Sequence, residues 1–137
     1  MPVRGSCLCG SVTFEVLGPF EFAGNCHCTN CRKAHGAAFV SWGITRPGSF
    51  RWTSGEHELR GFESSPGRDR WFCGRCGSAL ASSHAGEIGE VVLGALDDDP
   101  GLRPREHIFV DSRARWHDIS DALPRHGRWP PGLGPEA

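Results

Sequence analysis

Short alternations of apolar and polar residues, repeatedly broken by glycine and proline, set the pattern of this chain. Over residues 11–16 (SVTFEV), Val12, Phe14 and Val16 fall on one face while Thr13 and Glu15 fall on the other, the period of a half-buried strand. Further β-branched or aromatic runs predict strands over 20–25, 37–44, 50–53, 58–63, 70–73, 78–82, 91–96 and 108–110. Turn tripeptides such as Arg46-Pro47-Gly48 and Ser65-Pro66-Gly67 bound them. Helical signals are weak. One turn is predicted over 30–34, capped by the Thr29 hydroxyl, and another over 119–123 ahead of Pro124. Residues 97–101 read as a solvated loop, and the Pro/Gly-rich tail, 126–137, as loosely ordered from Gly127 onward.

Composition agrees with this pattern. Nineteen glycines and ten prolines in 137 residues leave no room for long helices, and the length suits one domain, here placed at 3–125. Hydrophobic residues make up 38%, a modest core that bound metal would have to supplement. Net charge is −1 with no basic stripe, which argues against a nucleic-acid partner. No run approaches the roughly 20 apolar residues of a membrane span. Oligomeric state is not legible.

Seven cysteines then change the picture: Cys7-Leu8-Cys9-Gly10, Cys26-His27-Cys28-Thr29-Asn30-Cys31 and Cys73-Gly74-Arg75-Cys76-Gly77. An odd count, and a first six residues without an apolar signal core, argue against a secreted disulfide framework. The expectation is a cytoplasmic protein whose free thiols bind metal. Cys7 and Cys9, two apart on an extended strand, can share an ion, as can Cys73 and Cys76 across a turn. Each pair ends in a glycine able to adopt positive φ, which suggests two equivalent halves of one closed tetrahedral zinc site. Cys26, Cys28 and Cys31 are left as a second, three-cysteine site. It either keeps an open position, as catalytic zincs do, or is closed by His35 or His84. His27 is expected to point away from that ion.

Zinc with three thiolates carries a net charge of −1, so it is a poor Lewis acid but a good host for another thiol, whose pKa it lowers. Thiol addition to a carbonyl, or its reversal, is the natural chemistry. Arg32 and Lys33, beside Cys31, offset the cluster, hold a substrate carboxylate, or are simply solvated. Phe14, Phe39, Phe72 and Phe109 are assigned to the core, and Trp42, Trp52, Trp71 and Trp116 to core or rim. His57, His117 and His126 are assigned to the surface.

Four motifs in order extend the reading: Gly5-Ser6-Cys7-Leu8-Cys9-Gly10-Ser11, Cys26-His27-Cys28-Thr29-Asn30-Cys31-Arg32-Lys33, Phe72-Cys73-Gly74-Arg75-Cys76-Gly77-Ser78, and residues 107–116 (HIFVDSRARW). With them the chain resembles the glutathione-dependent formaldehyde-activating enzyme family, which includes centromere-protein-V-like proteins. The resemblance implies a mainly β, Mss4-like domain with two Zn2+ per chain. Cys7, Cys9, Cys73 and Cys76 would hold a structural zinc, and Cys26, Cys28 and Cys31 a catalytic one. It also implies glutathione and formaldehyde as partners and a carbon–sulfur lyase activity. Arg115 stands where a proline commonly precedes the tryptophan, a departure that bears on substrate rather than on zinc. His107, Asp111 and Ser112 either line the site or anchor the last strand.

Two rival readings are a non-catalytic zinc module for a protein partner and a redox or metal sensor built on the three-cysteine site. The four-plus-three partition predicts two zinc ions per chain in elemental analysis of protein purified without added metal. A stoichiometry of one, with three freely reactive thiols, would refute it.

Overall fold

The computed structural model describes residues 2–133 and is mainly β, with two largely antiparallel sheets. β1 (Val3–Ser6), β2 (Thr13–Val16) and β5 (Phe50–Ser54) form a three-stranded sheet in the order β1-β2-β5. The seven-stranded sheet runs β10-β3-β4-β9-β8-β7-β6. Its strands are β3 (Phe22–Cys26), β4 (Val40–Ile44), β6 (Leu59–Ser65), β7 (Arg68–Cys73), β8 (Ala79–His84), β9 (Glu87–Val92) and β10 (His107–Ile108). Among the pairs of these named strands only β10–β3 is parallel, with His107 opposite Asn25 and Ile108 opposite Cys26.

The alternation in β2 does what its period dictates. Val12, Phe14 and Val16 are buried and pack with Phe20, Leu80 and Val91, while Glu15 on the outer face pairs with Arg51. Cys7 and Cys73 belong to the same cluster, so the thiol sites are built into the core rather than hung on its edge. A second cluster of Cys26, Cys31, Val40 and Trp42 surrounds the other site. Phe14 is fully buried, whereas Phe39, Phe72 and Phe109 are half-buried.

Several of the sequence expectations need correction. β1 went unrecognised because its four residues VRGS have no hydrophobic alternation; pairing with β2 defines it. Cys7 and Cys9 do not sit on a strand. They lie in the loop between β1 and β2, closed by Gly10 N–H donating to Cys7 O at 3.0 Å. Residues 93–95 leave β9 as a 3-10 turn. Residues 119–123 form no helix: Arg125 donates to the carbonyls of Ile119 and Asp121, and Asp121 accepts the Leu123 N–H, so side chains take the groups a helix would use. The tail is not loose as far as Leu133. Phe109, Val110 and Asp111 donate backbone N–H groups to Arg128, His126 and Gly127, and Trp129 packs edge-on to Phe109 at 5.0 Å. Residues 134–137 lie outside the described residues.

Gly5 faces Phe14 across the β1–β2 ladder, and an added Cβ would lie within 2.7 Å of ring atom Cε1. Because Phe14 is clamped between Phe50 and Trp52, the ring cannot retreat. Gly5→Ala should therefore destabilise the domain by about 1–3 kcal/mol, the usual range for overpacking, as read from denaturant midpoints.

Candidate metal centres

Two sulfur clusters are assembled, and they are made differently. At the first, the β1–β2 loop supplies Cys7 and Cys9, while the last residue of β7 supplies Cys73 and the turn after it Cys76. Both loops turn through a glycine at positive φ, Gly10 at +81° and Gly77 at +83°. Both aim backbone N–H groups at sulfur: Val12 donates to Cys7 at 3.2 Å, and Arg75 and Cys76 donate to Cys73 at 3.3 and 3.5 Å. Leu8 N–H donates to Ser78 Oγ at 2.8 Å and locks one loop onto the other. All four sulfurs lie within 4.8 Å of one another, with Cys7–Cys9 at 3.6 Å and Cys9–Cys73 at 3.9 Å. Four thiolates around one ion at zinc–sulfur distance would be about 3.8 Å apart, so this donor set fits a tetrahedral metal. Hydrogen bonds from the Ser78 side chain and backbone draw the Cys76 thiol down to about 5, which favours the thiolate a metal needs.

The second cluster is built on the join between β3 and α1 (Thr29–His35). Cys26 ends the strand, Cys28 is the helix N-cap and Cys31 sits in the first turn, with their sulfurs within 4.8 Å. The cap is the Cys28 sulfur, accepting the Cys31 N–H at 3.3 Å, rather than the expected Thr29 hydroxyl. The three thiols share protons unequally: hydrogen bonds from Cys26 and Cys31 hold Cys28 far below the ordinary thiol range, and hydrogen bonds with Cys28 and Cys31 push Cys26 up.

Negative charge here meets cations that the sequence did not identify. Arg70 on β7, only 8% exposed, points two guanidinium nitrogens at Cys31 Sγ, each at 3.7 Å, and Trp42 Nε1–H donates to the same sulfur at 3.4 Å. Among the described residues no carboxylate lies within ion-pair distance of Arg70, so the sulfur cluster is its counter-charge. Arg68 lies over the Trp42 ring at 5.5 Å and pairs with Glu90 at 3.4 Å. The period-2 spacing of Arg68 and Arg70 was legible, but the register placing that face over Cys31 was not.

The named candidates separate accordingly. Arg32 donates to the Ser112 carbonyl at 3.1 Å, and Lys33 is exposed; neither lines the cavity described below. His35 packs edge-on to Trp42, and His84 bonds Glu90 at 3.1 Å; neither joins the three sulfurs. His27 does point away: fully buried, its Nε2 lies 2.8 Å from His107 Nδ1, and His107 Nε2 lies 3.0 Å from Asp121. Burial, reinforced by His107, lowers the His27 pKa to about 4. His107 thus anchors β10, Asp111 is exposed, and Ser112 reaches the cavity wall. His117 and His126 are half-buried rather than superficial, His126 pairing with Glu106 at 3.3 Å.

Beside Cys26 and Cys28 opens a cavity of about 520 Å3, walled by Arg68, Arg70 and Glu90 on one side and by Ile108, Phe109 and Trp129 on the other.

The family model for the glutathione-dependent formaldehyde-activating enzyme matches residues 2–112, spanning every cysteine. The chain belongs to this family. A Halomonas elongata protein, provisionally named a glutathione-dependent formaldehyde-activating enzyme, is 32% identical over 130 residues, covering 87% of this chain and 82% of that protein. A crystal structure of a Rhodobacter sphaeroides protein is similar at a TM-score of 0.58 and 28% identity, over 74% of this chain and 92% of the other. In this family member both clusters could hold a metal ion.

The two clusters should fail differently. Cys76→Ser removes one of four donors joining distant segments and should give a largely unfolded protein, since a structural zinc contributes on the order of 10 kcal/mol. Cys28→Ser should melt cooperatively and retain one metal. The reverse pattern in paired thermal melts and metal analyses would overturn the roles.

Proposed function

We propose that this protein is a zinc-dependent enzyme of the carbon–sulfur lyase type. It would make or cleave the adduct of a small thiol, glutathione or a relative of it, with formaldehyde or another small aldehyde. The observation that carries this reading is a cluster of three thiols beside a 520 Å3 cavity, with no fourth side-chain donor among the described residues. Cys7, Cys9, Cys73 and Cys76 would hold a structural zinc, and Cys26, Cys28 and Cys31 a catalytic one. When bound there, zinc supplies a soft position at which a thiol ionises near neutral pH.

The chain's own residues do the rest. Arg70 and the Trp42 N–H, both directed at Cys31, offset the charge of three crowded thiolates, so the approach of a further anionic sulfur meets less repulsion. Arg68 on the cavity wall suits a carboxylate of the thiol, a role the sequence had offered to Arg32 and Lys33. In the forward reaction sulfur bonds to the carbonyl carbon, the C=O π pair moves to oxygen, and the thiol proton ends on that oxygen. Glu90, with Oε2 3.1 Å from His84 Nε2, is the carboxylate on this wall placed to pass that proton on. Among the described residues no helix is long and apolar enough to cross a membrane, and free thiols suit the reducing cytoplasm.

Cobalt-substituted protein tests this reading. Glutathione should intensify the sulfur-to-cobalt charge-transfer band, and the protein should speed the exchange of glutathione and formaldehyde with their adduct by NMR. Arg70→Gln should weaken thiol binding by about 1–3 kcal/mol, the range for charged hydrogen bonds. A spectrum indifferent to every thiol, from a site already four-coordinate, would favour the non-catalytic zinc module.

A further inference from the structure

The family match ends at residue 112, yet part of the wall of the cavity comes from beyond it: Trp129, Pro130 and Leu133 line it together with Ile108 and Phe109. This wall is held in place. Phe109 N–H donates to Arg128 O at 3.0 Å, Val110 N–H to His126 O at 3.0 Å, and the Phe109 and Trp129 rings meet edge to face at 5.0 Å. Phe109 also takes a left-handed backbone conformation, φ +57°, which a bulky residue rarely adopts unless its surroundings enforce it. That strain turns the chain from β10 into the segment that meets residues 126–128.

The chemistry of this wall does not match the adduct of glutathione with formaldehyde. A hydroxymethyl group adds one carbon and one oxygen, and glutathione itself is polar and charged throughout. A carboxylate of it suits the wall that carries Arg68, which leaves the aromatic wall without a partner. A cavity of about 520 Å3 is in the range that encloses a drug-sized ligand, so it can hold a whole thiol adduct with the aromatic wall against part of it.

Building on the reading of the three-cysteine site as a thiol-adduct centre, we propose that this protein acts on adducts bearing an apolar substituent, which Trp129 and Phe109 select. The substituent is an alkyl or aryl group carried either by an aldehyde larger than formaldehyde or by the thiol. The reaction balances as before: the S–C bond forms, the C=O π pair moves to oxygen, and the thiol proton ends there.

S-substituted glutathiones, inert thioethers that mimic the adduct, test the wall without turnover. By calorimetry on metal-loaded protein, S-benzylglutathione should bind roughly tenfold more tightly than S-methylglutathione, about the gain for burying one small apolar group. The ratio should fall toward one in Trp129→Ala and largely survive in Trp129→Phe, which keeps an aromatic wall and guards against a folding defect. Exchange NMR then identifies the source. A rise in kcat/KM from formaldehyde to phenylacetaldehyde with glutathione assigns the group to the aldehyde, and a rise from mercaptoethanol to benzyl mercaptan with formaldehyde assigns it to the thiol. Equal binding of the two thioethers, with formaldehyde exchange still accelerated, would overturn this inference alone. No thiol effect on the cobalt spectrum and no accelerated exchange would overturn the parent reading, and this one with it.

Discussion

The convergence of four thiols from two distant loops is the constraint on which the rest of the structure depends. Cys9 and Cys73 stand 64 residues apart, and their sulfurs are 3.9 Å apart. Closing a loop of that length opposes folding by about 4 kcal/mol, which a modest core does not easily offset. The cluster joins the three-stranded sheet, through the β1–β2 loop, to the turn between β7 and β8 of the larger sheet. Cys7 and Cys73 pack in the same apolar core as Val12, Phe14 and Leu80. A metal ion held there would bind only the folded chain, so its affinity would add directly to folding stability.

The second cluster obeys the opposite logic. Its three donors come from six consecutive residues, so no long loop is closed. What they require is charge compensation. Thiolates in a half-buried place are unfavourable unless cations or N–H groups face them, and Arg70, Trp42 and the helix N-terminus of α1 all do. Behind the cluster, the chain from His27 to His107 to Asp121 ties the cysteine loop to β10 and the segment after it. The site is thus held by both ends of the chain's second half, and the cavity lies in the remaining gap.

That cavity has two chemically distinct faces because two different parts of the chain meet there. β7 and β9 present arginines and a carboxylate, as strands do when alternate residues point out of a sheet. The irregular segment after β10 presents aromatic and proline residues, fixed by backbone hydrogen bonds to residues 126–128 rather than by any regular element.

The sequence by itself determined the class of fold and the identity of both sulfur clusters. Strand alternation, glycine and proline punctuation, and the spacing of cysteines are local signals, and local geometry makes them binding: residues 26–31 can hardly avoid bringing their sulfurs together. Even the four-plus-three division was legible, because the two Cys-Gly endings at Gly10 and Gly77 mark equivalent turns. What only the tertiary structure decided was everything set by sheet register. Arg70 reaches Cys31 from 39 residues away only because β7 lies where the sheet order puts it. Arg32 and Lys33, adjacent in sequence, sit on a helix that turns them elsewhere. His107 became an anchor for His27 through the parallel β10–β3 pairing, which no local pattern encodes. The tail read as loose because proline and glycine carry no periodicity, yet its carbonyls found donors on residues 109–111, and long-range hydrogen bonds of that kind leave no trace in the sequence.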